Sequence, residues 1–207
     1  NKTLTIIISQ SGETADTLAA LKEAKKRGSH TLAIVNVVGS SIANAADDVI
    51  YTWAGPEIAV ATTKGYSTQL SVLYLFAVWA ARLLKTADGA RLDKIFDDIL
   101  MLPELTERVI LAEPQIKETA KHCGDPKSLF FIGRNIDYAV SLEASLKLKE
   151  ISYIHSEAYA AGELKHGTIS LIEEGRTVIA LAAYEELFDK LLSNIKEVKA
   201  RGARVLA

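Results

Sequence analysis

Cysteine is nearly absent from this chain of 207 residues, which contains a single one, Cys123. One cysteine excludes an internal disulfide framework and a cysteine-based zinc cluster within the chain. No positively charged segment followed by an apolar one opens the sequence, so a signal peptide is not predicted. The longest apolar run, residues 72–81, is shorter than the roughly 20 residues that a membrane span needs. It is expected to form a core helix instead.

An excess of charge of either sign is also absent. Lys and Arg number 24 against 26 Asp and Glu, which gives a formal net charge of −2 at pH 7. A balanced charge creates no general field that would attract nucleic acid or an anionic membrane. Neither is therefore expected as a partner, and a cytoplasmic protein is predicted. With 49% hydrophobic residues, a chain of this length can bury the core of one large α/β domain or two small ones.

Strand and helix patterns alternate along the chain. Short apolar runs that predict strands lie at residues 4–8, 31–35, 49–52, 129–132, 177–182 and 204–206. Helical patterns lie between them, at residues 15–27, 59–85, 113–122, 137–153 and 186–200. The first run is rich in β-branched residues and is typical of a strand buried on both faces. This alternation predicts an α/β fold in which parallel sheets carry helices on both faces.

The alternation occurs twice, which predicts two subdomains. A charged helical stretch separates them, so we expect a first subdomain at residues 1–88, a helical connector at 89–112 and a second subdomain at 113–207. Each is predicted to be a three-layer α/β/α unit. Both ends of the chain fall on apparent strands, so both subdomains are expected to be truncated parts of a longer protein.

A serine-rich loop, residues 9–14 with the sequence Ser-Gln-Ser-Gly-Glu-Thr, follows the first predicted strand and precedes a predicted helix. Ligands of open α/β folds bind beyond the carboxyl ends of the strands, and free amides at a helix N-terminus favour an anion. Hydroxyl groups without a lysine suit a phosphate monoester. In the alternative interpretation Ser11 caps the helix, Thr14 lies in its first turn and nothing binds. Asn36 and the turn at 39–41 are further candidates for the same crevice.

Glu143, Lys147 and Glu150 are spaced by four and three residues, which places them on one stripe of a helix. A carboxylate held by an ammonium can remove a proton next to a carbonyl. The alternative interpretation is ordinary ion pairing on a solvated helix face.

Two of the four histidines, His155 and His166, lie after this helix, and Gly162 and Gly167 bracket a short segment that contains His166. Histidine readily moves protons near neutral pH, so His166 is a candidate catalytic residue; a structural histidine is the alternative. The spacing of His155 and His166 matches no pattern of metal ligands, so no metal site is predicted.

Longer segments carry a resemblance to a known family. Residues 9–18 resemble the sugar-phosphate loop of the sugar-isomerase (SIS) domain, which marks a broad superfamily. The block 146–167 and the segment 60–64 closely resemble the isomerase half of the glucosamine-6-phosphate synthase family. The similarity extends along essentially the whole chain.

This resemblance implies two sugar-isomerase subdomains and an aminotransferase activity. Enzymes of the family convert fructose 6-phosphate and ammonia into glucosamine 6-phosphate, and a separate glutaminase domain supplies the ammonia. No cofactor and no metal are implied. By resemblance, the phosphate would be held by Ser9, Gln10, Ser11 and Thr14, and the sugar site would be lined by Val60 and Thr62.

The resemblance also implies catalytic roles in the second half. Glu150 would be the base that moves a proton between C1 and C2 of the sugar, and Lys147 and Glu143 would orient and tune it. His166 would assist ring opening from the neighbouring subunit, which implies a homodimer.

The chain also departs from the family pattern. The glutaminase domain, the first strand with its serine loop and the C-terminal lysine that forms a Schiff base are not in this sequence, so the chain alone is expected to be inactive. Thr168 stands where proline is expected. Two alternatives are another phosphosugar isomerase or deglycase, and a non-catalytic sugar-phosphate sensor. The presence of Glu150 and His166 favours an enzyme, because a sensor needs neither a base nor a ring-opening acid.

Overall fold

The computed structural model describes residues 2–123 and 127–207. The chain divides into two compact units, Asn1–Val109 and Ile110–Ala207. Each unit contains an entirely parallel sheet, which confirms the predicted α/β class.

The first unit has a three-stranded sheet in the order β1-β2-β3. Its elements are β1 Leu4–Ser9, α1 Ala15–Lys26, β2 His30–Val35, α2 Ser41–Ala45, β3 Asp48–Tyr51, α3 Lys64–Leu84 and α4 Gly89–Leu100. A further helix, α5 Leu102–Leu111, continues past the boundary between the units. Leu4 aligns with His30 and Ser9 with Val35, so β1 and β2 end together and their following loops leave from one edge of the sheet.

The core of the first unit centres on the middle strand β2, where Ala33, Ile34 and Val35 are fully buried, and on Leu21 of α1. The expectation that the first strand is buried on both faces is wrong. Within the described chain β1 pairs only with β2, and Ile8 on it is 40% exposed. A β-branched run indicates a strand, but its place in the sheet depends on which strands pair with it.

Helix α3 starts at Lys64, five residues later than predicted. By length and composition alone it could cross a membrane, with a mean hydropathy of 1.3 in its most apolar part. In the fold, Val72, Phe76 and Trp79 line a groove of about 550 Å³ opposite Leu32 of the sheet. Part of the apolar surface of α3 therefore faces the sheet across this groove. The expectation of a buried core helix is nevertheless wrong, because Trp79 is 57% exposed.

The second unit has a four-stranded sheet in the order β5-β4-β6-β7. Its elements are α6 Glu113–Lys121, β4 Ser128–Gly133, α7 Ile136–Ser152, β5 His155–Ala160, β6 Thr177–Ala180, α8 Phe188–Ala200 and β7 Arg204–Leu206. Three 3₁₀ helices lie between these elements, at Ala161–His166, Thr168–Leu171 and Glu185–Leu187. The core contains Phe130, Ile132, Leu164, Val178 and Val198.

Strand β5 was not predicted, since its sequence is polar at half of its positions. It pairs with β4 in register, with Ser128 opposite His155. Gly133 ends β4 where α7 approaches closely: a Cβ there would lie 2.5 Å from the carbonyl oxygen of Asp137. A side chain at this position would force the helix away from the strand, so glycine is required.

Candidate functional site

The serine loop joins the carboxyl end of β1 to α1 and is folded around Ser9. This residue is 7% exposed, and its Oγ accepts a hydrogen bond of 3.0 Å from the backbone N–H of Gly12. The same oxygen is hydrogen-bonded to Oγ1 of Thr14 at 3.0 Å. Ser11 Oγ accepts from the N–H of Glu13 at 3.2 Å. The loop therefore gathers the hydroxyl groups of Ser9, Ser11 and Thr14 at the start of α1.

The residue at the N-cap of α1 is Thr14, and no described side chain makes a capping hydrogen bond there. The interpretation in which Ser11 caps the helix is wrong, because the chain enters helical geometry only at Ala15. Instead of capping the helix, the Thr14 hydroxyl is bonded to Ser9. Helix amides without such a cap are free to bind an anion.

Residues that follow β2 contact the serine loop. Gly12 has φ +70°, and a Cβ there would lie 2.0 Å from Oγ of Ser40. Ser40 is 4% exposed, and its Oγ has no hydrogen-bond partner among the described residues. The Glu13 carboxylate accepts a bond of 2.8 Å from the N–H of Ser41. Hydrogen bonding by the Ser41 side chain, together with this backbone bond, lowers the pKa of Glu13. The turn at 39–41 thus packs against the loop and fixes its shape.

The loop after β3 brings Thr62 next to Gln10. Thr62 Oγ1 donates a hydrogen bond of 2.5 Å to Glu57, which lowers the pKa of that carboxyl, and accepts one of 3.2 Å from the N–H of Gly65. A Cβ on Gly65 would lie 2.7 Å from Thr62 Oγ1 and 3.1 Å from Cγ of Gln10. Gly65 therefore allows the start of α3, Thr62 and the serine loop to meet.

Two further candidates on this side of the sheet have different surroundings. Val60 is fully exposed, which leaves its backbone and side chain accessible to a ligand. The side chain of Asn36 is instead used within the fold: it donates to the carbonyl of Gly55 at 2.8 Å and accepts from the N–H of Ala54 at 2.8 Å. Asn36 thus shapes the loop after β3.

In the second unit, α7 places Glu143, Lys147 and Glu150 together. Lys147 Nζ lies 2.5 Å from Oε2 of Glu150 and 3.6 Å from Oε1 of Glu143. The Lys147 side chain is 18% exposed, so its charge is partly shielded from water. The hydrogen bond to Glu150, together with the charge of Glu143, raises the pKa of Lys147. The ammonium is therefore a fixed positive charge between two carboxylates.

His166 ends the 3₁₀ helix Ala161–His166, which we call the histidine segment, and its side chain is exposed. Across residues 2–123 and 127–207, no hydrogen bond or ion pair joins His166 to Glu143, Lys147 or Glu150. His155 is held within the fold by Ser128 Oγ at 3.0 Å. The described side chains include no group of three or more His, Cys, Asp or Glu residues that could hold a metal ion.

Some residues that shape these sites were not predicted as site residues. Glu57 accepts a hydrogen bond from Thr62; its place before the long helix was a local signal, but it indicated helix capping. Asn194, which contacts Arg134 60 residues earlier in the chain, gives no local sequence signal. Arg134 could have been found, since it directly follows β4 at the carboxyl end of a strand.

A hydroxyl-rich loop at the carboxyl edge of a parallel sheet, in a chain with two such sheets, defines an α/β protein with a candidate anion site at that edge. The model of the SIS domain matches residues 1–79 and 124–207, and the chain belongs to this family, as the sequence predicted.

The particular relatives are aminotransferases. The chain is 58% identical over 204 residues to glutamine–fructose-6-phosphate aminotransferase [isomerizing] of Clostridium tetani, and 51% identical to that of Thermococcus kodakarensis. The two matches include 99% and 100% of this chain but only 34% of each relative. The chain therefore spans about a third of the length of these relatives. A solved structure of the C-terminal domain of glucosamine-fructose-6-phosphate aminotransferase from Francisella tularensis matches with a TM-score of 0.93 at 39% identity. That match covers 98% of this chain and 57% of the solved one.

Proposed function

We propose that this chain is the sugar-isomerase part of an enzyme that makes glucosamine 6-phosphate from fructose 6-phosphate and ammonia. The observation that carries the proposal is the serine loop, in which three hydroxyl groups lie just before α1 and no side chain caps the amides of that helix. Such donors suit a phosphate group. The names of the relatives indicate fructose 6-phosphate as the sugar and an aminotransferase reaction.

The first unit would hold the sugar phosphate. Ser9, Gln10, Ser11 and Thr14 would donate to the phosphate oxygens, and Val60 and Thr62 would line the sugar. In this proposal residues 1–88 and 113–207 are the two sugar-isomerase subdomains, and residues 89–112 are their connector.

The second unit would supply the chemistry. Ammonia would condense with the C2 carbonyl, with loss of water, to form an imine. Glu150 would then take a proton from C1 and return it to C2, while the proton of the C1 hydroxyl passes to the nitrogen, which leaves an amine on C2 and an aldehyde at C1. Lys147 would orient the Glu150 carboxylate through their ion pair, with Glu143 on the other side of the ammonium. His166 would assist ring opening, which needs a proton donor or acceptor near neutral pH.

The proposal extends to partners and location. Ammonia would come from a glutaminase domain, as in enzymes named for glutamine. The exposed His166 would enter the site of a second copy, so we propose a homodimer. A cytoplasmic location is proposed because sugar phosphates are intracellular metabolites.

Calorimetric titration of the chain with fructose 6-phosphate, with fructose as the control, tests the phosphate site. Binding of the phosphorylated sugar alone supports the proposal, and equal binding of both sugars contradicts it. If neither binds, the titration is repeated on a chimera in which the chain replaces the matching 204 residues of the Clostridium tetani relative. The proposal fails if the chimera does not bind fructose 6-phosphate or does not convert it with ammonia into glucosamine 6-phosphate.

A further inference from the structure

The histidine segment has three distinct faces. A 3₁₀ helix has three residues per turn, so residues three apart share a face. Ala161 and Leu164 form one face and are fully buried in the core of the second unit. Gly162 and Lys165 form the second face. His166 lies on the third, which is exposed, so the other two faces determine where its imidazole can be.

A half-buried polar contact supports the second face at Gly162. Arg134, which follows β4, donates from Nε and Nη2 to Oδ1 of Asn194 at 3.1 and 2.8 Å. Asn194 lies on α8 and is 3% exposed. A Cβ on Gly162 would lie 3.3 Å from Nη2 of Arg134. The guanidinium therefore lies directly against the backbone of the histidine segment, and glycine permits this approach.

A second contact holds the same face at Lys165. Glu197, one turn after Asn194 on α8, accepts a hydrogen bond of 3.3 Å from Asn194 Nδ2 and one of 2.9 Å from Lys165 Nζ. The bond from Lys165 lowers the pKa of Glu197. Both ends of the buried Asn194 amide are thus used, which fixes its orientation.

We propose that Arg134, Asn194 and Glu197 are positioning residues that hold the histidine segment against α8 and so fix His166 for ring opening. The inference rests on the proposed function of His166. Lys165 is 61% exposed, and an exposed ion pair contributes little by itself. The contact between Arg134 and the buried Asn194 is therefore the principal element of this network.

The test uses the Clostridium tetani chimera, with turnover of fructose 6-phosphate as the readout. Asn194→Ala is expected to lower kcat about 10- to 100-fold, because small displacements of a catalytic group have effects of that size. Glu197→Gln, which keeps the shape of the side chain, is expected to show a smaller loss. Affinity for glucitol 6-phosphate, an acyclic analogue that needs no ring opening, should stay unchanged. The matched control is Lys196→Met, which removes an exposed lysine of α8 that neighbours Glu197.

A double-mutant cycle separates positioning from a general effect on folding. In a His166→Asn background, Asn194→Ala is expected to cause no further loss of kcat, because the group that it positions is gone. An equal loss in both backgrounds overturns the inference, as does full activity of Asn194→Ala. If His166→Asn itself keeps full kcat, the proposed role of His166 fails. Arg134→Lys, which retains a donor, should keep more activity than Arg134→Met, and Glu197→Gln carries the test if Asn194→Ala does not fold.

Discussion

Ser9 Oγ and Thr14 Oγ1 form a hydrogen bond of 3.0 Å that joins the last residue of β1 to the residue before α1. Two hydroxyl groups hold two protons, and one proton makes this bond. The other remains to be donated to a ligand, next to helix amides that neither side chain caps. One contact thus shapes the loop and keeps donors available for an anion.

Loss of a hydroxyl in the serine loop should weaken binding of sugar phosphate. Ser11→Ala and Thr14→Ala are each expected to weaken fructose 6-phosphate binding roughly ten- to a hundred-fold, since a hydrogen bond to a charged group contributes about 1.5–3 kcal/mol. Titration calorimetry measures the effect. The control is Thr106→Ala, which removes a hydroxyl bonded to its own helix at Leu102. Unchanged affinity in both loop variants would place the phosphate elsewhere.

Gly12 should tolerate a side chain less well than a comparable glycine. Gly12 and Gly39 have φ of +70° and +73°, but a Cβ on Gly12 meets Ser40, while one on Gly39 meets nothing within 4 Å. Gly39→Ala is expected to cost about 1–2 kcal/mol of unfolding free energy through backbone strain. Gly12→Ala should cost about 1–3 kcal/mol more through overpacking. Urea denaturation measures both, and equal costs would show that Ser40 moves aside.

The stability of the first unit should depend on pH through His30. Its Nε2 lies 2.6 Å from Oδ2 of Asp48, and this contact raises the pKa of His30 above the ordinary 6.5, with Asp47 adding to the effect and Lys25 opposing it. A raised pKa in the folded state stabilises the fold at pH values below 6.5, and the contribution is lost as the pH rises through the higher value.

Asp48→Asn should therefore lower the unfolding free energy at about pH 5.5 and have little effect at about pH 8.5. Urea denaturation across this range tests the prediction. Asp98→Asn, which changes an exposed carboxylate on α4, is the control. The prediction is contradicted if the difference in unfolding free energy between Asp48→Asn and the unmodified chain grows as the pH rises.

Removal of the ammonium between the two carboxylates on α7 should reduce turnover more than substrate binding. Lys147→Met in the chimera is expected to lower kcat about 10- to 100-fold with little change in KM, because Lys147 contacts Glu150, the proposed base, at 2.5 Å. Lys147→Arg should retain part of the activity. Lys149→Met, at an exposed position on the same helix, is the matched control. A rise in KM at constant kcat would assign Lys147 to binding instead.

Local patterns in the sequence predicted most of the elements. Six of the seven strands that the structure describes were predicted, because short apolar runs bounded by polar turns have few other conformations. The stripe of Glu143, Lys147 and Glu150 followed from helical spacing alone, and the structure places the three side chains in contact. The catalytic and binding roles of these residues and of the serine loop remain predictions.

The sequence by itself determined the parallel α/β class and the position of the serine loop after the first strand, since both depend on periodicity and on neighbours in the chain. The tertiary structure decided which residues meet across long separations. Strand β5 is polar and forms because it pairs with β4, Ser40 lies behind Gly12, and Arg134 contacts Asn194 60 residues away. Such contacts depend on how whole helices and strands pack together, and no local pattern of residues specifies them.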